Sequence, residues 1–181
     1  QGTLLCDQYA GYNAVLDTRV YPQRKAATCA AHARRKFEEL SRGGPSASGL
    51  AGEALQRFAR IYQAEGLLSD MTAEQRQQAR QQLSKPLWDE LKAWMQLVGS
   101  QVLPGSKVRQ AIDYSLQAWD ALTLHLSDGA VAIDNNHLEQ QIKPWKLGAK
   151  NWLFIGSELA GQRAAMVMSL VQSAKMNGVE P

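Results

Sequence analysis

The sequence predicts an α/β protein that is rich in helix overall and is interrupted by an all-helical segment. Two short apolar runs near the N-terminus, TLLC and AATCAA, have the length and composition of buried strands. The middle of the chain carries apolar side chains at helical spacing for roughly seventy residues. Helices return after a brief extended stretch, SDGAVAI. We therefore expect residues 1–49 and 127–181 to form one α/β core and residues 50–126 to form a helical insertion.

The N-terminal elements are predicted to alternate between strand and helix. The first strand covers Gly2–Asp7 and ends on a carboxylate, and QYAGYNAVL then predicts a short helix. The second buried strand is predicted at Ala26–Ala31, and HARRKFEEL opens a longer helix. That helix is expected to end in SRGGPSASG, a loop with three glycines, one proline and three serines.

The central segment predicts several helices that share a small core of their own. Thr72 and Gln75 have the spacing of a capping box, Pro86 after Ser84 is typical of a helix start, and Ser106 can cap another helix. The apolar residues at one-face spacing fall within Ala54–Tyr62, Leu87–Val98 and Val108–Leu122. The segment is acidic, which disfavours contact with phosphates, so we expect it to position subunits or partners.

A helix is predicted to begin at Asp134, because Ile133 and Leu138 have the spacing of a hydrophobic staple around an N-cap. It is predicted to end near Lys143, since Pro144 cannot continue it.

A loop rich in lysine and tryptophan is predicted next, and a last helix follows at about Glu158–Asn177, with Gly178 as its stop. Trp145 and Trp152 beside the lysines suit either core packing or stacking on nucleic acid bases, and the sequence leaves both open.

Composition and charge suit a soluble globular protein with a basic surface at each end. The chain has 181 residues, of which 45% are hydrophobic and 20% charged, and no apolar run is long enough to span a bilayer. Residues 1–37 carry a net charge of +4 (six basic, two acidic), residues 38–139 carry −4 (nine and thirteen), and residues 140–181 carry +3 (five and two). Basic ends favour a polyanionic partner.

Cysteine usage and the N-terminus give two further expectations. Cys6 and Cys29 make no disulfide framework, and Cys29 with His32 lacks a second ligand pair at zinc spacing, so reduced cysteines in a cytoplasmic protein are expected. The chain starts at Gln1, just before a strand, so we expect a fragment whose N-terminal portion lies outside this sequence.

Two carboxylates are candidate metal ligands. Asp7 ends a strand, and Glu139 lies one helical turn after Asn135 and Asn136 and one turn before Lys143. Mg²⁺ prefers such hard oxygen ligands, and two ions about 4 Å apart can activate a hydroxyl and stabilise a leaving oxygen. Both residues also have a possible structural role without metal. Asp7 could cap its turn, and Glu139 could form a capping box with Asn136 or an ion pair with Lys143.

Two basic clusters are candidate phosphate contacts, although each also suits a solvated helix face. The first begins at His32, which as a lone histidine is also compatible with a structural role. The clusters consist of His32, Arg34, Arg35 and Lys36, and of Lys143, Lys146 and Lys150.

Four stretches carry a resemblance to a known family. DQYAGY, CAAHARRKF, IDNNHLEQQIKPWKLGAKNWLFIGS and SAKMNG, in this order, resemble the DDE transposases of the sixty-six family of bacterial insertion sequences. The resemblance implies an RNase H-like fold with a helical insertion between the second Asp and the Glu. It implies that Asp7 is the second Asp, that Glu139 is the Glu, and that the first Asp lies upstream of Gln1. The family commonly has arginine at the positions of Gln140 and Lys143. Neither of these side chains can bind a phosphate through two parallel hydrogen bonds as arginine does, and this affects the local affinity for DNA.

The resemblance also implies an activity and its partners. A transposase cuts DNA at transposon ends and joins the 3′-hydroxyl to target DNA, with Mg²⁺ or Mn²⁺ in a two-ion site. We expect double-stranded DNA and further copies of the protein as partners, a bacterial cytoplasm and nucleoid location, and no membrane contact. Asp7 and Glu139 should lie within about 10 Å of each other to share the metal cluster. With two of three carboxylates, the fragment alone should be inactive or very weak.

Two other functions stay open. One is a non-catalytic helical DNA-binding or assembly module from a decayed element, in which both carboxylates are caps. The other is a nuclease of the same fold without strand transfer.

Overall fold

The computed structural model describes residues 2–42, 45–152 and 154–181. These residues form two compact units, Gln1–Asn135 and Asn136–Pro181. The first unit contains a small sheet and a helical bundle, and the second contains two long helices. The structure thus confirms the prediction of a helix-rich chain with a few strands.

The sheet consists of two parallel strands, β1 (Gly2–Cys6) and β2 (Arg24–Thr28), paired from Gly2 with Arg24 to Cys6 with Thr28. A 3₁₀ turn and helix α1 (Asn13–Leu16) connect them. Strand β2 lies earlier than predicted, because the helix that follows it already begins at Ala30. Since the strands are parallel, their carboxyl ends lie at one edge of the sheet.

The bundle follows directly from β2. Its helices are α2 (Ala30–Ser41), α3 (Pro45–Gly66), α4 (Ala73–Leu83), α5 (Lys85–Gln101), α6 (Lys107–Gln117) and α7 (Trp119–Leu122), and a 3₁₀ turn at Leu124–Leu126 ends it. The predicted glycine-rich loop is shorter than expected, since α3 already starts at Pro45; Gly43 and Gly44 lie outside the described residues. Proline is well suited to a first helical turn, where its missing N–H costs nothing.

Local capping signals were predicted correctly. The backbone N–H of Gln75 donates to Thr72 Oγ1 at 3.3 Å, and the Thr72 N–H donates to Gln75 Oε1 at 3.0 Å. Ser106 Oγ accepts the Arg109 N–H at 3.2 Å. These short-range bonds satisfy N–H groups that have no partner within the helix, so they mark helix starts reliably.

A chain of aromatic rings forms the core of the bundle. Phe37, Phe58 and Trp88 are fully buried, and ring centroids are 6.1 Å apart both for Phe37–Phe58 and for Phe58–Trp88. Trp94 contacts Phe37 and Trp119 contacts Trp88, at 6.4 and 5.6 Å. Phe37 belongs to α2, so the core of the bundle extends beyond residues 50–126.

A buried ion pair, absent from the sequence-based expectations, joins α3 to α4. Arg80 and Glu65 are 2% and 8% exposed, and their side chains meet at 2.8 Å. Arg80 also donates to the backbone oxygens of His125 and Val131, both at 2.8 Å, and the Ser84 hydroxyl donates to Glu65 at 2.9 Å. Such complete pairing offsets the cost of removing two charges from water.

The second unit differs from the prediction at its first helix. Helix α8 covers Asn136–Trp152 and continues through Pro144, so the predicted end near Lys143 and the predicted lysine and tryptophan loop were wrong. Proline removes one hydrogen bond and costs about 3 kcal/mol, but Leu147, Ala149 and the lysines around it are good helix formers. The start at Asp134 was also two residues early.

The last helix agrees with the prediction. Helix α9 covers Glu158–Met176, and Ser157 Oγ caps it by accepting the Ala160 N–H at 3.2 Å. Gly178 follows at a φ of 71°, a conformation that glycine adopts without strain. None of the helices in the described ranges is both long and apolar enough to cross a lipid bilayer.

Candidate functional site

Asp7 lies at the carboxyl edge of the sheet, directly after β1. Its side chain is partly buried, and Oδ1 accepts the backbone N–H of Tyr9 at 3.1 Å. This bond is the turn cap that competes with the metal-ligand interpretation. It involves one carboxylate oxygen and leaves Oδ2 outside the turn, so a cap and a metal ligand are compatible roles for this residue.

The start of α2 lies at the same edge. The backbone N–H of Cys29 donates to the Cys6 oxygen at 2.9 Å, and the Ala30 N–H donates to the Ile133 oxygen at 3.0 Å. The segment Ile133–Asn135, which precedes α8 in the chain, is therefore bonded to the first residue of α2, next to the strand end that carries Asp7.

The buried thiol of Cys29 also contacts this segment. Burial raises the pKa of the Cys29 thiol, and the backbone N–H groups of Asn135, His32 and Ala31 oppose that rise by donating toward the sulfur. Asn135 Oδ1 is buried and has no hydrogen-bond partner among the described residues. Cys29 thus acts here as an acceptor for the segment.

A side chain of the bundle binds Asp134. Tyr62 on α3 donates its hydroxyl to Asp134 Oδ2 at 2.9 Å. Burial, followed by the negative charge of Asp134 and by this hydrogen bond, raises the pKa of Tyr62 strongly, while nearby Arg34 opposes the rise. Asp134 lies two residues before α8, and its Oδ2 accepts from Tyr62, so its predicted N-cap role stays a prediction for Oδ1.

The basic residues of α2 have different environments. Arg34 pairs with Glu38 at 2.8 Å, one helical turn away, and the Lys36 ammonium lies 5.2 Å from the centre of the Tyr114 ring. Arg35 is exposed, and His32 is partly buried. Arg35 and Lys36 are thus the two exposed side chains of this cluster, and Arg34 must weaken its pair with Glu38 to bind a phosphate.

Glu139 lies in the first turn of α8 and is partly buried. Lys143, Lys146 and Lys150 follow it at i+4, i+7 and i+11 and are exposed. This spacing places the four side chains along one face of the helix. The helix dipole favours an acid in the first turn and a base in the last. The helix thus replaces the predicted loop and aligns the glutamate with the lysines.

The other residues named from this region also lie on α8. Asn136 is the first residue of α8, and Trp145 is partly buried on a different side of the helix from Glu139. The side chain of Trp152 lies outside the described residues. Across the described ranges, no group of three or more His, Cys, Asp or Glu side chains is arranged to hold a metal ion. Asp7 and Glu139 belong to different units, and their predicted approach stays a prediction.

The sequence did not predict two contacts near these residues. One is the Tyr62 bond to Asp134, and the other is a bond from Gln8 Nε2 to the backbone oxygen of Tyr114, at 2.9 Å. Tyr62 has only its place at the end of an apolar stripe as a signal, and Gln8 has none, because its partner is a backbone atom far along the chain.

Comparison with protein-family models shows to which family the chain belongs. Residues 1–163 match the model described as Transposase IS66 family. The chain belongs to this transposase family. The resemblance found in the sequence motifs is thereby confirmed, and it connects the chain with transposition.

Curated relatives of this transposase chain come from Sinorhizobium fredii (strain NBRC 101917 / NGR234). The protein named uncharacterized protein y4hP is 34% identical over 192 residues, which cover 99% of this chain and 35% of the relative. The protein named uncharacterized protein y4jD is 34% identical over 185 residues, again covering 99% of this chain and 35% of the relative. The chain thus spans about a third of the length of these relatives. No solved structure matches it.

Proposed function

We propose that this chain contributes Asp7 and Glu139 as metal ligands to the catalytic centre of a DDE transposase with an RNase H-like core. Membership of the IS66 transposase family carries the proposal. It is supported by the location of Asp7 at the carboxyl edge of the sheet, where the first residue of α2 is bonded to the segment leading to α8. The full reaction would be DNA cleavage at transposon ends followed by strand transfer to target DNA.

The donor atoms suit Mg²⁺ or Mn²⁺. Carboxylate oxygens are the ligands these ions prefer, and Asp7 has an oxygen outside its turn-capping bond. When bound, two such ions would supply positive charge at the scissile phosphate and lower the energy of the attacking and leaving oxygens. The third carboxylate would come from the rest of the transposase.

The residues around the carboxylates would hold the DNA. Lys143, Lys146 and Lys150 extend from Glu139 along one helix face, and exposed Arg35 lies on α2, which begins at the edge that carries Asp7. Phosphate contacts of this kind fix the position of the duplex and carry no sequence information. We therefore expect double-stranded DNA to bind next to the carboxylates in a multimer of the transposase.

A non-catalytic DNA-binding or assembly module is the second candidate. The observation in its favour is the Tyr9 N–H bond to Asp7, since this bond gives the carboxylate a structural role without metal.

Substitution of the two carboxylates in the full-length transposase distinguishes the candidates. Asp7→Asn and Glu139→Gln should each reduce Mg²⁺-dependent cleavage of transposon-end DNA by more than about a hundredfold, because each removes a charged metal ligand. DNA binding should persist or tighten, since each substitution also removes repulsion from phosphate.

Glu158→Gln is the matched control, because Glu158 is an exposed acid in the first turn of α9. It should cleave normally. Normal cleavage by Glu139→Gln would reject the catalytic proposal in favour of the non-catalytic module.

A further inference from the structure

We infer that Tyr62 is a positioning residue through which the helical bundle orients the segment that leads to Glu139. The inference rests on the proposed function for its catalytic meaning. Its structural part concerns the first unit alone, where Tyr62 on α3 and Asp134 are joined at 2.9 Å although they lie 72 positions apart.

The segment Ile133–Asn135 is attached at three successive residues. The Ile133 oxygen accepts from Ala30, the Asp134 carboxylate accepts from Tyr62, and the Asn135 N–H donates toward the Cys29 sulfur. The first and third attachments come from the start of α2. The second comes from α3, and it is a bond to a charged group, which is stronger than a bond between neutral groups.

The Tyr62 side chain is suited to hold one position. It packs against the buried core of the bundle, and its hydrogen bond is partly buried. The ring has few rotatable bonds, so fixing it costs little conformational entropy. Because α8 begins at the residue after Asn135, this segment is the chain connection between the bundle and the helix that carries Glu139.

The segment next to Asp7, the other candidate metal ligand, is also attached to the bundle. Gln8, next to Asp7, donates to the Tyr114 backbone oxygen on α6 at 2.9 Å. Helices α3 and α6 pack in the same core, where Phe58 and Ile112 are fully buried. The bundle therefore contacts the residue that follows Asp7 and the segment that precedes α8. Under the proposed function, the insertion would hold chain segments that lead to the two candidate ligands, in addition to its expected role in subunit contacts.

Amide hydrogen exchange of the 181-residue chain tests the structural part. Tyr62→Phe retains the ring and removes only the hydroxyl. It should speed exchange at the amides of Asp134, Asn135 and Asn136 by roughly tenfold, which is the effect of losing one bond to a charged group. Exchange at buried core positions such as Phe58 and Trp88 should be unchanged.

Tyr21→Phe is the matched control. Tyr21 is partly exposed, and its ring contacts the Arg24 guanidinium at 3.6 Å, a contact that phenylalanine retains. It should leave exchange at residues 134–136 unchanged. Equal exchange in Tyr62→Phe and Tyr21→Phe would overturn the inference.

Metal dependence in the full-length transposase tests the catalytic part. Tyr62→Phe should raise the Mn²⁺ concentration for half-maximal cleavage by roughly tenfold, while the affinity for transposon-end DNA and the thermal midpoint change little. Asp134→Ala should raise this Mn²⁺ concentration at least as much, and the double variant should be no worse than Asp134→Ala, because the bond to Tyr62 is already lost in that variant.

The outcomes separate this inference from the proposed function. Faster exchange with unchanged Mn²⁺ dependence would overturn the positioning role and leave a bond that only stabilises the segment. The proposed function itself would be rejected by a different variant, if Glu139→Gln cleaved DNA normally.

Discussion

The two units of the chain differ in where their apolar side chains lie. In the first unit Trp88, Phe58 and Phe37 are fully buried in one aromatic core. In the second unit α9 has no buried residue, and Met166 and Leu170 are 67% and 71% exposed. Stability should therefore depend on side chains of the first unit. The second unit should show its effects in binding, where its exposed lysines can act.

The largest expected effect comes from removing a core side chain of the first unit. Trp88→Ala should lower the free energy of unfolding by about 3–5 kcal/mol, because it removes a buried ring and leaves a cavity. Leu170→Ala in α9 should change it by less than about 0.5 kcal/mol, since the side chain is already in water. Urea denaturation of the two variants measures both values. Similar losses would show that the apolar face of α9 is buried in solution.

A smaller effect on stability is expected at acidic pH, from His125. Burial lowers the pKa of this imidazole from 6.5 to about 4, so between these values the unfolded chain binds a proton that the folded chain does not. The free energy of unfolding should therefore fall by about 3 kcal/mol as the pH drops from 6.5 to 4.

Two substitutions locate this pH effect. His125→Asn retains an N–H that can donate to the Leu122 oxygen, which now lies 3.1 Å from Nδ1, and it should flatten the slope between pH 4 and 6.5. His137→Asn, at an exposed position of α8, should leave the slope as it is. An unchanged slope in His125→Asn would place the pH effect on other groups.

The smallest expected effects concern single phosphate contacts. Lys146→Ala should reduce the slope of log affinity against log salt by about 0.9 on duplex DNA, because one phosphate contact releases its counterion. Arg34→Ala should reduce it less, since Arg34 already pairs with Glu38. A salt titration with the full-length transposase compares them. A larger effect for Arg34 would place the main DNA surface on the first unit.

Local signals in the sequence were enough to predict much of the fold. The two strands, the Thr72 capping box and the Ser106 cap depend on neighbouring residues, and the structure confirms them. The predicted end of α8 near Pro144 was wrong, because the helix formers on both sides of the proline continue the helix through it. Local rules thus describe helix starts well and describe the continuation of a helix through proline poorly.

Long-range polar contacts could not be predicted. Arginine is rarely buried, so nothing in the sequence distinguishes Arg80 from the exposed arginines. The partners of Tyr62 and Gln8 lie 72 and 106 positions away, and only folding brings them together. Asp7 and Glu139 were identified as candidate ligands by their motifs, because a chemical requirement is carried by residue type and spacing. The contacts that orient their neighbours are determined by tertiary packing.

Manganese binding to the full-length transposase tests most directly whether Asp7 and Glu139 share one metal site. The affinity can be measured by electron paramagnetic resonance of free Mn²⁺ for the wild type, Asp7→Asn, Glu139→Gln and the double variant, with Glu158→Gln as control. Each single variant should lose at least about tenfold in affinity, and the double variant should lose less than the product of the two single losses, because both residues act on the same ion. Full affinity in either single variant, or losses that simply multiply, would contradict a shared site.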